Sequence, residues 1–422
     1  MDGSWDMIIV GAGLAGLRTG LETLKKHPHI RCCILEKYDY AGGRVFTFRK
    51  NLPGVGTISW ESGAGRISKD HKKVLGLLQS YDLHTAPIHS EVEYISTSTR
   101  TATENHFSDL IQVYLDPLHA LDHSVLAQHT LGELLYKTLG QHHAKKFYMQ
   151  FPYFSEMHVL RADRALESFH SEMASNKGFV VCKEGLSRLT DAMHKEFIKR
   201  GGSVLFHTTL ERVTYHHGLH TLHCTTADSP ITYVAPIVVL ALHHAALKQI
   251  DGIRNCSILT HLSMEPLLRM YAIFPVKKGA CWFSGMPHTV TDSPIRYIIP
   301  IDPSRGIIMI SYTDGDDTHH WGKHAEDRVM KEIRRLFPDK TIPDPIYFKQ
   351  HLWEAGCTYW LPGAYDVTRV SQQSLHPMPD TFPGLFMCGE SFAEHPCWME
   401  SALDQADKLL QHPSFLRHVK MK

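Results

Sequence analysis

Asp6 to Gly16 reads D-M-I-I-V-G-A-G-L-A-G, an apolar strand running straight into G-x-G-x-x-G. Twenty residues past the last glycine, Glu36 closes a second apolar run, C-C-I-L-E, that begins at Cys32. Strand, glycines, helix and distal acid at this spacing define a dinucleotide-binding βαβ unit. Gly11 allows the tight turn, Gly13 lets the backbone approach a pyrophosphate, Gly16 lets helix and strand pack, and Glu36 is placed to accept from a ribose hydroxyl. Gly11, Gly13, Leu14, Ala15, Gly16, Glu36 and Lys37 are the cofactor-binding candidates of this segment.

The chain continues K-Y-D-Y-A-G-G-R-V-F-T from Lys37, a tail that separates flavin enzymes from nicotinamide dehydrogenases. Gly42 and Gly43 permit a close backbone pass, and Arg44 puts a permanent cation where diphosphate charge would lie. With these residues the chain resembles the flavin-dependent amine oxidase superfamily, which holds monoamine and polyamine oxidases, L-amino-acid oxidases and amino-acid monooxygenases. A second anchor is L-F-M-C-G-E-S-F-A-E-H-P-C-W-M-E-S-A, from Leu385 to Ala402. The resemblance implies that Gly389-Glu390 ends a strand and binds the ribityl chain. It also implies that Trp398 is an aromatic wall and that Met399 starts a helix against the flavin pyrimidine ring. Independently, Met399 to Gln411 is rich in helix formers with apolar residues near helical spacing, so its positive N-terminus would stabilise negative charge on a reduced flavin. The alternative for Trp398 is a packed aromatic capping a surface helix.

Length and composition set the frame. A chain of 422 residues exceeds one ordinary core, which makes two domains the expectation. Lys plus Arg equals Asp plus Glu at 44 each, leaving no net field to attract nucleic acid or an anionic membrane, so the expected partner is a small molecule. No apolar run approaches the ~20 residues of a membrane span, and the acidic start M-D-G-S-W-D leads directly into a strand. A cytoplasmic location is the expectation. The nine cysteines are scattered without C-x-x-C and are expected reduced. The 31 histidines include four adjacent pairs, none at metal-ligand spacing, and no metal site is expected.

The resemblance implies an α/β fold in which a discontinuous Rossmann-like FAD-binding domain carries an inserted α+β substrate-binding domain. The FAD-binding segments are expected over residues 1–75, 179–252 and 351–422. The substrate side is expected as a helical part over 76–178, with helices in the region 108–175, and a β-sheet part over 253–350 that includes a charged helix over 323–337. F-V-V-C-K-E-G-L-S-R-L-T-D-A-M-H-K-E-F, from Phe179 to Phe197, reads as strand, glycine turn and amphipathic helix. In the strand L-E-R-V-T-Y that follows, the family's backbone contact to adenine falls on Val213.

The substrate question turns on W-E-S-G-A-G-R-I-S, Trp60 to Ser68. In L-amino-acid oxidases and amino-acid monooxygenases the matching segment resembles G-x-M-R-x-P, whose arginine clamps the substrate carboxylate. Arg66 stands at that place, with Gly65 where the methionine would be and no proline after it. A guanidinium fork can hold a carboxylate bidentately and present the α-carbon at a fixed distance. The alternatives are a solvated or a flavin-binding arginine, and Gly65 and Arg66 are also cofactor candidates. H-L-W-E-A-G-C-T-Y-W-L-P-G, from His351, looks like the strand carrying the family's second aromatic wall. Alternation puts Cys357 and Tyr359 on one face, Thr358 and Trp360 on the other. Tyr359 is the residue expected opposite Trp398. Some family members attach flavin through a cysteine in a related G-C pair, but the interval to P-G here is two residues shorter, so non-covalent FAD is expected. Where the family has a strand lysine that holds a water near N5, P-L-L-R-M-Y-A-I-F offers Arg269. Arg269 could polarise oxygen or hold an anion but cannot act as a base, and the alternative is a surface ion pair.

The implied activity is oxidation of the C–N bond of an amino acid or amine, with O2 as acceptor, by a monomer or homodimer. An L-amino-acid substrate is favoured. Simple amine or polyamine oxidation, amino-acid monooxygenation, carotenoid or porphyrinogen oxidation, and a flavin-bound redox-sensing protein are the alternatives, since fold does not dictate function.

Overall fold

A computed structural model describes residues 3–88, 91–98, 102–104, 107–170, 178–227, 229–322 and 324–421. Its first layer is a five-stranded parallel sheet in the order Ser203–Leu205, Cys32–Leu35, Met7–Val10, Ile237–Leu240, Leu385–Met387. These short apolar runs have no polar alternation because both faces are buried. Met7, Ile9, Cys32, Ile34, Ile237, Val239 and Phe386 pack with the helices Leu14–Lys26, Ser187–Lys199 and Met399–Gln411. Ile8, Val10, Cys33, Leu35, Val238, Leu240 and Met387 pack with a three-stranded antiparallel sheet, Thr208–His216, Leu219–Thr226 and Ser229–Ala235. Two chain crossovers build this layer from three separated segments.

The second lobe is a seven-stranded sheet in the order Tyr347–Trp360, Leu262–Ile273, Ile307–Asp314, Tyr297–Asp302, His288–Thr291, Val92–Ile95, Ala102–Glu104. In its strand Leu262–Ile273, alternate residues Leu268, Met270 and Ala272 pack with the amphipathic helix Ala325–Leu336. Arg269 and Tyr271 are thereby directed to the opposite face, toward the turn after Glu61. The charged helix expected from Lys323 is seen from Ala325; Lys323 lies outside the described residues. Helices Phe107–Tyr114, His123–Ala127, Leu131–Gln150, Phe154–His158 and Ala162–Phe169 make the helical part. The long one starts in a capping box of Thr130 and Glu133 and is interrupted at Gly140, φ +80°. The last residues of the expected helical region, 171–175, lie outside the described residues.

The expected boundary between residues 350 and 351 falls inside a strand. Tyr347–Trp360 pairs antiparallel with Leu262–Ile273 from Tyr347↔Ile273 to Trp360↔Leu262. No helix among the described residues is long and apolar enough to cross a membrane.

Candidate active site

A cavity of about 820 Å³ runs from the glycine turn of the first strand to the seven-stranded sheet. Its floor shows why the glycines are there. Gly11 takes φ +104°, and a side chain on it would come within 2.5 Å of the Ala241 carbonyl oxygen; one on Gly16 would come within 2.0 Å of the Gly11 carbonyl oxygen. Those two glycines serve the protein's own packing. Gly13 differs, because its φ of −74° suits any residue and a Cβ on it would meet nothing nearer than the Gly42 oxygen at 4.0 Å. The space above Gly13 is thus kept open for something other than the chain.

Two helix N-termini face this space. Leu14–Lys26 begins at Gly13 with no side-chain cap and no acid in its first turn, and Gly13, Leu14 and Ala15 line the cavity. Met399–Gln411 begins at Trp398, also uncapped, with Trp398 and Met399 on the wall; the Glu400 carboxylate turns away to accept from the Lys73 and Val74 N–H groups at 2.9 Å each. Uncapped amides at a helix start suit a diphosphate in the first case and developing negative charge in the second. An elongated anionic dinucleotide therefore fits.

Glu36, nearly fully buried, accepts from the N–H of Ala12 at 2.7 Å and of Tyr38 at 3.0 Å, so it shapes the glycine turn as well as standing on the cavity wall. Lys37 lines the cavity with its ammonium 4.7 Å from the centre of the Tyr38 ring. Gly43 and Gly65 are on the wall. Arg44 spans the middle: Nη2 donates to Glu390 Oε1 at 2.6 Å and Nη1 to the Gly356 carbonyl at 2.9 Å. Glu390, beside Gly389, also accepts from Thr358 Oγ1 at 2.9 Å and the Cys397 N–H at 2.8 Å. Burial alone would raise this carboxyl, but Arg44 and these donors hold it below its ordinary value. Arg44, expected as a diphosphate cation, is one half of a part-buried ion pair that ties the two sequence anchors together.

Val213 is not brought to the cavity. Its N–H donates to the Asp251 carbonyl at 3.0 Å, and the wall is formed instead by Thr208, Thr209 and Leu210 of the same strand.

At the far end Arg66 stands among aromatic rings, its guanidinium carbon 4.8 Å from the centre of Phe179, 5.5 Å from Trp398 and 5.9 Å from Tyr153. Trp398 stacks on Phe179 at 6.1 Å and meets His71 edge-on at 4.8 Å. Burial, followed by the Asp70 and Arg66 charges, leaves His71 at about 4, so it is neutral near pH 7. Tyr359 lines the cavity and its hydroxyl donates to Glu156 at 3.5 Å; Thr358, also on the wall, donates to Glu390, and Trp360 donates to the Ala393 carbonyl. Arg269 is no surface ion pair: it donates to the carbonyls of Gly63 and of Glu61, lies 5.4 Å from the Tyr312 ring centre, and lines the cavity. Tyr153, Glu156 and Tyr312 also line it, although no sequence pattern marks them. Among the described residues there is no cluster of metal-ligating side chains.

The model of the family described as flavin containing amine oxidoreductase matches residues 14–153 and 127–408. A 19% identical relative, an uncharacterized protein of Acanthamoeba polyphaga mimivirus, covers 96% of this chain and 93% of its own length. Among solved structures, wild-type putrescine oxidase bound to putrescine aligns with a TM-score of 0.71 at 16% identity, over 99% of both chains. Cyclohexylamine oxidase from Brevibacterium oxydans IH-35A aligns with a TM-score of 0.71 at 15% identity, again over 99% of both. The chain belongs to the flavin-containing amine oxidoreductase family and is an FAD-dependent amine oxidase. Its substrates are a small-molecule amine and O2. The two helix N-termini and Arg44 would hold FAD in the cavity, where it would supply the acceptor for the substrate's hydride and the route of its electrons to O2.

Proposed function

We propose that the amine oxidised here carries a carboxylate, as an L-amino acid does, and that Arg66 receives it. The observation behind this reading is the setting of Arg66 on the cavity wall between Trp398, Phe179 and Tyr153. Aromatic faces hold a planar guanidinium in one orientation while lowering the local dielectric, which strengthens a bidentate pair with an incoming carboxylate. Trp398 and Tyr359 then confine the reacting carbon, a matter of orientation before chemistry. Arg269, tethered to the turn that carries Arg66, stays protonated throughout, so it positions and polarises and removes no proton. Tyr359, whose hydroxyl burial pushes well above its ordinary value, is likewise no base at neutral pH. No base is needed if the substrate amine arrives neutral.

Glu156 favours a second reading. A carboxylate on the wall beside Tyr359 suits a distal ammonium, as in a diamine, and one of the similar structures is a putrescine oxidase. Anaerobic mixing of the yellow protein with lysine, norleucine, putrescine and butylamine separates the two: bleaching by both amino acids ahead of both amines supports the carboxylate reading. Bleaching by putrescine ahead of the rest assigns a diamine oxidase. FAD is taken as held non-covalently, by the two helix N-termini and the Arg44–Glu390 frame.

A further inference from the structure

The cavity wall carries two thiols that amine oxidation does not use. Cys357 comes from the strand Tyr347–Trp360, and Cys397 from the turn that leads into the helix Met399–Gln411. They are forty residues apart in sequence, yet both stand on the same cavity wall. Cys397 Sγ donates to the carbonyl of Thr358, the residue after Cys357, at 3.0 Å, and its N–H is fixed on Glu390. Cys397 takes φ +72°, a left-handed backbone that a cysteine adopts only where its surroundings hold it there. The two thiols differ in character. The nearby Cys397 thiol and then Arg44 lower the Cys357 thiol below its ordinary value against the effect of burial; burial pushes Cys397 well up. By contrast, burial pushes the neighbouring thiols Cys33 and Cys224 up to about 12.

We propose that Cys357 and Cys397 are a redox-active dithiol that hydrogen peroxide, the product of the oxygen half-reaction, converts to an intramolecular disulfide. Cys357 as thiolate attacks one peroxide oxygen; the O–O bond breaks, the sulfur becomes a sulfenic acid, and the departing hydroxide takes a proton to leave as water. The Cys397 sulfur then attacks the Cys357 sulfur, the S–O bond breaks, and a second water leaves with the Cys397 proton. Two thiols are oxidised by two electrons in all, and one peroxide is reduced to two waters. The new bond ties the strand wall to the turn carrying Trp398, so activity falls as peroxide accumulates and returns on reduction. This rests on the amine oxidase assignment for the peroxide, but not on which amine is used.

The test is made on the FAD-loaded protein. It is reduced, freed of reductant, exposed to hydrogen peroxide, denatured, alkylated and mapped by peptide mass spectrometry. The expected result is loss of two of the nine alkylatable thiols, a Cys357–Cys397 linked peptide, and activity that dithiothreitol restores. In Cys397→Ser the same treatment is expected to leave Cys357 over-oxidised and activity unrecovered by dithiothreitol. Nine free thiols after peroxide, oxidation distributed over other cysteines, or a Cys357 peptide carrying flavin would each overturn the proposal. The wild-type map decides the matter even if the variant does not fold.

Discussion

Glu36→Ala removes more than a ribose contact. Its two oxygens hold the Ala12 N–H inside the glycine turn and the Tyr38 N–H at the start of the following loop, at 2.7 and 3.0 Å. Ala12 is fully buried, so its N–H loses a charged acceptor that water cannot readily replace. One stranded buried donor together with a lost charge-assisted bond to the ribose is worth about 2–5 kcal/mol of FAD affinity. That is a rise in Kd of roughly thirtyfold to several thousandfold. Glu36→Gln keeps one oxygen for Ala12 and should lie near the lower end. Apoprotein prepared under mild acid and titrated with FAD, read by quenching of flavin fluorescence, gives the numbers. A Glu36→Ala protein whose Kd stays within threefold of wild type refutes the argument that this carboxylate builds the turn.

Mild acid or heat should release intact FAD from the wild-type protein; flavin left on the precipitated chain would identify a covalent link and point to Cys357. Trp398→Ala should raise KM, slow flavin reduction and weaken any preference for carboxylate substrates while leaving FAD bound, because the ring touches Arg66, Phe179 and His71; loss of flavin would place the ring under the cofactor instead. Thermal stability should fall as pH is lowered. Burial holds His71, His220, His243 and His351 at about 4, against about 6.5 when unfolded, so the unfolded chain binds more protons across that interval. Their contribution is complete above pH 6.5 and is lost toward pH 4, where the depressed Glu390 carboxyl begins to add its own loss; circular dichroism melts that stay flat between pH 7 and 5 would contradict this.

The two ends of the chain were legible because their constraints are local. A G-x-G-x-x-G turn specifies its own backbone, and the helix Met399–Gln411 begins and ends where its composition indicates. Val213 was named on the resemblance alone, and its N–H is taken by the Asp251 carbonyl. The boundary near 350 falls inside a strand because Tyr347–Trp360 is longer than the segment whose pattern stood out. Tyr153, Glu156 and Tyr312 belong to the cavity only through long-range packing, the first two from the break between helices Leu131–Gln150 and Ala162–Phe169. The same distance hid the placement of Cys357 and Cys397 on one cavity wall and the ion pair of Arg44 with Glu390.

The central claim, a carboxylate received by Arg66, is tested by anaerobic stopped-flow reduction of the bound flavin with an L-amino acid and with the amine that lacks its carboxylate. The amino acid should reduce the flavin faster, and Arg66→Ala should abolish that preference at a cost of about 2–5 kcal/mol, roughly thirtyfold or more in rate. Arg66→Lys should recover only part, since an ammonium lacks the planar fork. Equal rates with the two substrates in the wild-type protein would contradict the clamp and assign the enzyme to simple amines or diamines.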